Sequence, residues 1–207
     1  MLIGTITFHG ALNFGSALQA YALQSVLTLM GHEVRIIDYR ARDYEQYRLL
    51  QLRHPKTTLR VLCRLSRFSS RKASFKRFAN SFYNLTSESV SWKNETSLSE
   101  MVDKFDCFIC GSDQIWNLGI TNSDSIYFGD YVDKTVKKIA YAASFGADNN
   151  PNSIHQFVKK YLNSFDALSV REQSGVKILN DNSLNDVDVV CDPVFLLDEN
   201  CWINIAR

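Results

Sequence analysis

From Leu2 to Tyr39 the chain spells a unit that few folds can accommodate. Leu2–Phe8 is an apolar, β-prone run and reads as a strand. Ala17–Leu27 repeats apolar residues at three- and four-residue spacing, and Gly31 stands where a helix-ending glycine would. Glu33–Tyr39 then reads as a second strand. Strand, helix and strand in that order predict a crossover connection, and such a crossover requires a parallel sheet. The alternation resumes with strand-like runs at Phe105–Cys110, Lys138–Ala142, Asp166–Val170 and Val187–Val190, separated by helical patterns at 152–164 and 172–180. The expected fold is therefore α/β, a doubly wound and mostly parallel sheet.

Composition narrows the class further. Hydrophobic residues are 45% of the 207 and charged residues 22%, with three prolines and nine glycines, which excludes disorder, collagen-like repeats and a coiled coil. A chain of this length buries about 70% of its unfolded surface, enough for a core without staples. No apolar run approaches the ~20 residues of a membrane helix. The amino terminus lacks a basic n-region and reads as the first strand, so a cytoplasmic location is expected. Five scattered cysteines make no disulfide framework. The two sequons at Asn84 and Asn94 read as chance matches in that setting.

Charge is balanced at +1 but unevenly placed. Arg53, Lys56, Arg60, Arg64, Arg67, Arg71, Lys72, Lys76 and Arg77 fall in a stretch with no acid; without these nine, 14 basic residues face 22 acidic ones. The stretch lies in a segment, about 44–100, that is helical by pattern. Arg60, Arg64, Arg67 and Arg71 share a face, Val61, Leu62, Leu65 and Phe68 another, and Phe75, Phe78 and Phe82 form a further stripe. A solvated helical face, a nucleic-acid surface, and a surface for an anionic acceptor or membrane all fit this pattern, nucleic acid least.

In open parallel sheets ligands bind beyond the carboxyl ends of the strands, and polar clusters follow those ends here. Gly10–Ser16 links the first strand and helix. Its glycines permit close backbone approach, but its spacing is neither a dinucleotide fingerprint nor a Walker loop. The bland alternative is a tight turn with Ser16 capping the helix. Gly111-Ser112-Asp113-Gln114-Ile115-Trp116-Asn117 offers a hydroxyl, a carboxylate, two amides and an indole, a set suited to sugar recognition with Trp116 as a wall; helix capping by Ser112 or Asp113 is the alternative. Ser144-Phe145-Gly146 and Asp192-Pro193 follow two further strands. Arg171-Glu172 places a guanidinium at a helix amino terminus, against the macrodipole, as capture of a carboxylate or phosphate would require; a salt bridge to Glu172 or a neighbouring acid is the alternative.

Other combinations carry less. Cys107 and Cys110 are three apart on a strand and so point to opposite faces, which fits two small buried hydrophobes and not a metal site. A triad of Ser144, His155 and Asp166 rests on residue type alone. His9 is the one histidine at a strand end, and a surface or turn role leads for it.

Taken in order, Asn13–Leu23, Gly111–Asn117, Tyr141–Gly146, Ser169–Glu172 and Asp192–Leu197 resemble the polysaccharide pyruvyl transferase family over about 3–202, with no alignable motif in 40–100. The resemblance implies a GT-B-like two-domain architecture. Residues 1–197 would form its Rossmann-like amino-terminal domain, carrying a helical basic insertion at about 44–100, and 198–207 would begin the connection to a carboxyl-terminal domain. It implies transfer of the pyruvyl group of phosphoenolpyruvate to two hydroxyls of a sugar, in a cell-surface polysaccharide or its lipid-linked precursor, forming a cyclic ketal. Arg171 matches the family arginine implicated in phosphoenolpyruvate binding. Asp113, Gln114 and Asn117 would align the acceptor, and Asn13, Gly15, Ser112, Ser144 and Gly146 complete the substrate-binding set.

No metal or cofactor is implied; phosphoenolpyruvate is the donor substrate. In the family a histidine of the second domain is the presumed general acid, and none of His9, His32, His54 and His155 matches it. The expectation is then a half-site, inactive alone, partnered by a separately encoded carboxyl-terminal half and peripheral to the inner face of the membrane through its basic segment. A non-catalytic binding or assembly module of the same fold is the competing reading, with nucleic-acid binding through 53–77 behind it.

Overall fold

A computed structural model of the chain describes residues 1–41, 58–91, 95–146 and 151–206. Six strands form one sheet in which every pairing is parallel: β1 (Leu2–Ile6), β2 (Glu33–Ile36), β5 (Cys107–Cys110), β6 (Lys137–Ala143), β7 (Ala167–Val170) and β8 (Val187–Val189). Their spatial order is β2-β1-β5-β6-β7-β8. After β1 the chain builds outward to β2, then crosses back and builds the other way from β5. The strand order thus reverses between β1 and β5, and a crevice at the carboxyl ends of those two strands is where open α/β sheets hold ligands.

The run 33–39 is not one strand. It breaks after Ile36, and β3 (Tyr39–Arg40) pairs in parallel with β4 (Val90–Ser91) in a separate two-stranded sheet. Of the helical segment expected at about 44–100, residues 44–57 and 92–94 lie outside the described residues, Arg53 and Lys56 among them. The rest holds α2 (Thr58–Phe82) and α3 (Glu95–Val102) around the short β4.

Parallel strands are buried on both faces, and the two faces are covered differently. Helix α1 (Phe14–Leu29) carries no charged residue and lays Leu23 over Ile3, Val34, Cys107 and Ile109. The opposite face is larger. There Ile6, Phe108, Cys110, Ala140, Leu168 and Val170 share a continuous core with Met101 and Val102 of α3, Ile126 and Phe128 of a 3₁₀ turn, and Val158 of α5 (Pro151–Tyr161). Cys107 and Cys110 fall in these two different clusters, so their thiols face opposite sides of the sheet. Burial pushes both thiols above their ordinary range.

Helix α2 packs on the outer side of α1. Phe78 and Phe82 meet Tyr21 edge-on at 6.2 and 5.8 Å, Phe75 lies 5.1 Å from Phe14, and Gln24 Nε2 donates to the Phe82 carbonyl. Contacts that run 82, 78, 75 along α2 and 24, 21, 14 along α1 make the two helices antiparallel. Further along, α4 (Leu118–Thr121) and α6 (Gln173–Asn180) follow β5 and β7, and α7 (Glu199–Ala206) follows β8. Trp202 of α7 lies 6.1 Å from Tyr21. Among the described residues no helix is long and apolar enough to cross a membrane.

Candidate functional site

Each polar cluster read at a strand end lies at the carboxyl edge of the sheet, and hydrogen bonds join them into one network. The loop after β1 enters α1 through Asn13, whose side chain caps the helix by accepting from Ser16 N at 3.2 Å. Asn13, not Ser16, is therefore the cap. The Ser16 hydroxyl is freed to donate to Asp113 Oδ2 at 2.5 Å, which bridges the loops after β1 and β5 at the point of strand-order reversal. Gly15 sits exposed between them.

Beneath that bridge runs a buried polar strut. Gln19 Nε2 donates to Thr7 Oγ1 at 2.8 Å, Thr7 Oγ1 donates to the Ser112 carbonyl at 2.8 Å, and Ser112 N donates to Gln19 Oε1 at 3.1 Å. The Ser112 hydroxyl, itself fully buried, lies 3.1 Å from both the Ala142 carbonyl and Asp192 Oδ2. Ser112 is thus a tie between β5, β6 and the loop after β8. Gly111 lets this happen: at φ 121° its Cα passes so close to β6 that a Cβ would stand 2.0 Å from the Tyr141 carbonyl oxygen.

Asp113 has φ 77°, a conformation a non-glycine residue rarely adopts. It is held there by its bridge to Ala143, by its carbonyl accepting from Ser144 N at 3.0 Å, and by its Oδ1 accepting from Gln114 N at 2.8 Å. The result aims its carboxylate at Ser16. Gln114 and Asn117 bond each other at 3.2 Å and close around Gly146, where a Cβ would meet Gln114 Oε1 at 2.6 Å and Asn117 Nδ2 at 2.7 Å. The Asn117 side chain also caps α4. Ser144 is buried, and its hydroxyl accepts from Gly146 N at 3.1 Å.

Arg171 stands at the end of β7, three-tenths exposed, and Nη1 donates to Asp192 Oδ2 at 2.8 Å. Its partner is the acid that follows β8, not Glu172; the Glu172 carboxylate accepts from Phe145 N instead. Asp192 is held from its other side, with Oδ1 accepting from Val194 N. A single carboxylate thus joins Arg171 to Ser112 and hence to the strut.

Two readings of individual residues, Trp116 and His9, are corrected, and the triad that residue type alone allowed does not assemble. Trp116 is not a wall for a ring: it is wholly buried, donates Nε1–H to the Tyr127 carbonyl at 2.9 Å, and packs on Phe128 and Phe145. Ser144 and Asp166 sit at opposite ends of the sheet, and His155 pairs with Asn182, so no triad forms. His9 is buried, not superficial. Its Nε2 lies 3.3 Å from Asp38 Oδ1 and its Nδ1 3.3 Å from the Thr7 carbonyl. The hydrogen bond from His9 holds the Asp38 carboxyl below its ordinary value. A histidine at the end of β1 and an aspartate at the end of the neighbouring β2 is a signal the strand order would have supplied.

Among the described residues no group of three or more histidine, cysteine, aspartate or glutamate side chains could hold a metal ion. The edge instead offers one partly exposed guanidinium, a carboxylate and two amides over a rigid base, a set suited to an anion beside a hydroxylated molecule. A family model described as polysaccharide pyruvyl transferase matches residues 13–207. No curated protein and no solved structure matches the chain.

Proposed function

The chain belongs to the polysaccharide pyruvyl transferase family, and from that premise we propose that its carboxyl edge binds phosphoenolpyruvate beside a sugar acceptor. The supporting observation is the Arg171–Asp192–Ser112 link. Asp192 takes one of the five guanidinium N–H groups and fixes the plane of the fork, leaving donors for the carboxylate or phosphate of the donor substrate. Asp113, Gln114 and Asn117, one strand end away, align two hydroxyls of the sugar. Asn13, Gly15, Ser144 and Gly146 shape the floor between them.

In this reading C3 of the enol takes a proton and becomes a methyl group. The electron-poor C2 forms bonds to two sugar oxygens, which lose their protons, while its bond to the phosphate oxygen breaks and inorganic phosphate departs. A clamp on the departing phosphate and a fixed acceptor supply electrostatic and orientational terms. Protonation of C3 falls to the histidine that the family carries in its second domain. The sugar belongs to a cell-surface polysaccharide or its lipid-linked precursor, and the reaction takes place on the cytoplasmic side.

Titrating phosphoenolpyruvate onto the purified chain tests the donor site without requiring turnover. Arg171→Gln should weaken binding by about tenfold or more, the worth of one charge-assisted pair. Arg171→Lys should recover only part of it, because an ammonium lacks the fork. Equal affinity in all three proteins would remove Arg171 from the site.

A further inference from the structure

Helix α1 buries two glutamines, and they face different ways. Gln24 turns to α2: its Nε2 donates to the Phe82 carbonyl at 3.0 Å and its Oε1 accepts from Asn84 N at 2.7 Å. Gln19 turns to the strand ends. There Nε2 donates to Thr7 Oγ1 and to the Ser16 carbonyl, while Oε1 accepts from Ser112 N. Packing gives no reason for polar groups at Gln19 and Thr7, because apolar side chains of the same shape would bury there without needing partners.

What the polar groups add is direction. Turned over, the Gln19 amide would set Nε2 against the Ser112 N–H and Oε1 against the Ser16 carbonyl oxygen, so it has one orientation. The Thr7 hydroxyl accepts from that amide and gives its own proton to the Ser112 carbonyl. Ser112 is therefore gripped at its N–H by α1 and at its C=O by the end of β1. With its backbone fixed on both sides, its hydroxyl stands 3.1 Å from Asp192 Oδ2, the same oxygen that receives Arg171 Nη1. A hydrogen-bonded path thus runs from the interior of α1 through Ser112 and Asp192 to the guanidinium.

We propose that Gln19 and Thr7 are positioning residues for the donor site: by holding the backbone of Ser112 they set the Asp192 carboxylate, and through it the plane of the Arg171 fork. This rests on the proposed function and adds to it two buried residues that touch no substrate yet govern how well phosphoenolpyruvate is held. Gln24 is their matched control, buried on the same helix with the same chemistry but bonded to Phe82 and Asn84 instead of the strand ends.

The experiment titrates phosphoenolpyruvate onto the wild type, Gln19→Met, Gln24→Met, Thr7→Val and Thr7→Ser, each first shown to unfold cooperatively in urea. Gln19→Met should bind about fivefold to tenfold more weakly and Gln24→Met within about twofold of wild type, although both lower the urea midpoint. Thr7→Val should lose about threefold or more, and Thr7→Ser, which keeps the hydroxyl, should recover most of it. Added to Arg171→Gln, Gln19→Met should change the affinity by less than about twofold, because its effect passes through that fork. A second readout needs no ligand. Nitrogen relaxation of the Arg171 Nε–H, assigned by its loss in Arg171→Gln, should report a looser side chain in Gln19→Met than in wild type or Gln24→Met.

Unchanged Arg171 relaxation in Gln19→Met would overturn the proposal, whether or not the wild type binds phosphoenolpyruvate. Equal affinity losses in Gln19→Met and Gln24→Met, additivity with Arg171→Gln, or a Thr7→Ser as weak as Thr7→Val would do the same. If Gln19→Met does not fold, the Thr7 pair carries both readouts. Arg171 loosened by Gln19→Met in a chain that binds no phosphoenolpyruvate would support the positioning and sink the donor site, so the two failures are told apart.

Discussion

Residues Gly111–Asn117 belong to two regions at once, and the regions differ in what they hold together. Above, Asp113, Gln114 and Asn117 are half-buried and reach sideways to Ser16, to each other and around Gly146. Below, Ile115 and Trp116 are wholly buried and join the aromatic core of Phe128 and Phe145. One short segment therefore sets the site and plugs the core, and its polar and apolar positions should respond differently to substitution. The core anchor explains the precision available to the polar layer. A carboxylate at φ 77° keeps its aim only if the chain on either side is fixed, and Trp116 fixes it.

The sharpest way to break this division is Trp116→Ala. It removes a fully buried indole together with its hydrogen bond to the Tyr127 carbonyl, so stability measured by urea unfolding should fall by about 3–5 kcal/mol. A variant that kept its stability and lost only ligand binding would show that the indole belongs to the upper region after all. Gly146→Ala should fall between the two regions. Its positive φ of 64° costs any side chain strain, and the new methyl must displace Gln114 and Asn117, so a loss of about 1–3 kcal/mol should come with weaker acceptor binding. Ser16→Ala touches only the upper region. Losing a hydrogen bond to a carboxylate should cost about 1.5 kcal/mol, with the far-ultraviolet spectrum unchanged.

The upper and lower regions were not equally legible in the sequence. Strand runs and their order could be read because buried parallel strands are continuous apolar stretches, and a helix ending at Gly31, with φ 87°, follows from local chemistry. The clusters at strand ends could be located for the same reason. What each residue of a cluster does could not, because the partners come from elsewhere. Arg171 and Asp192 are 21 positions apart and meet only because β7 and β8 are neighbours. Trp116 lies in a turn, where no periodicity says which way a side chain points, and so a buried ring read as an exposed one. The break of 33–39 into β2 and β3 was hidden likewise, since the register with β4 pairs Tyr39 with Val90 and Arg40 with Ser91, far along the chain.

His9 and Asp38 sit at the boundary between the regions and give the smallest of the expected effects. Asp38 is ionised with more help in the folded chain than in the unfolded one, because His9 donates to it and Arg40 stands 3.9 Å away. The unfolded carboxyl takes up a proton first as pH falls. The stabilisation is therefore fully present above the ordinary aspartate value of 3.8, and is lost as pH drops from there through the lower folded value. Urea midpoints of wild type and Asp38→Asn should differ at pH 6 and converge below pH ~3. If the gap stayed constant across that range, the carboxylate's charge would be irrelevant and the pair would be a matter of packing. If His9→Asn also removed the gap, the two residues act as one unit tying the end of β1 to the end of β2, directly beside the loop that carries Asn13 and Ser16.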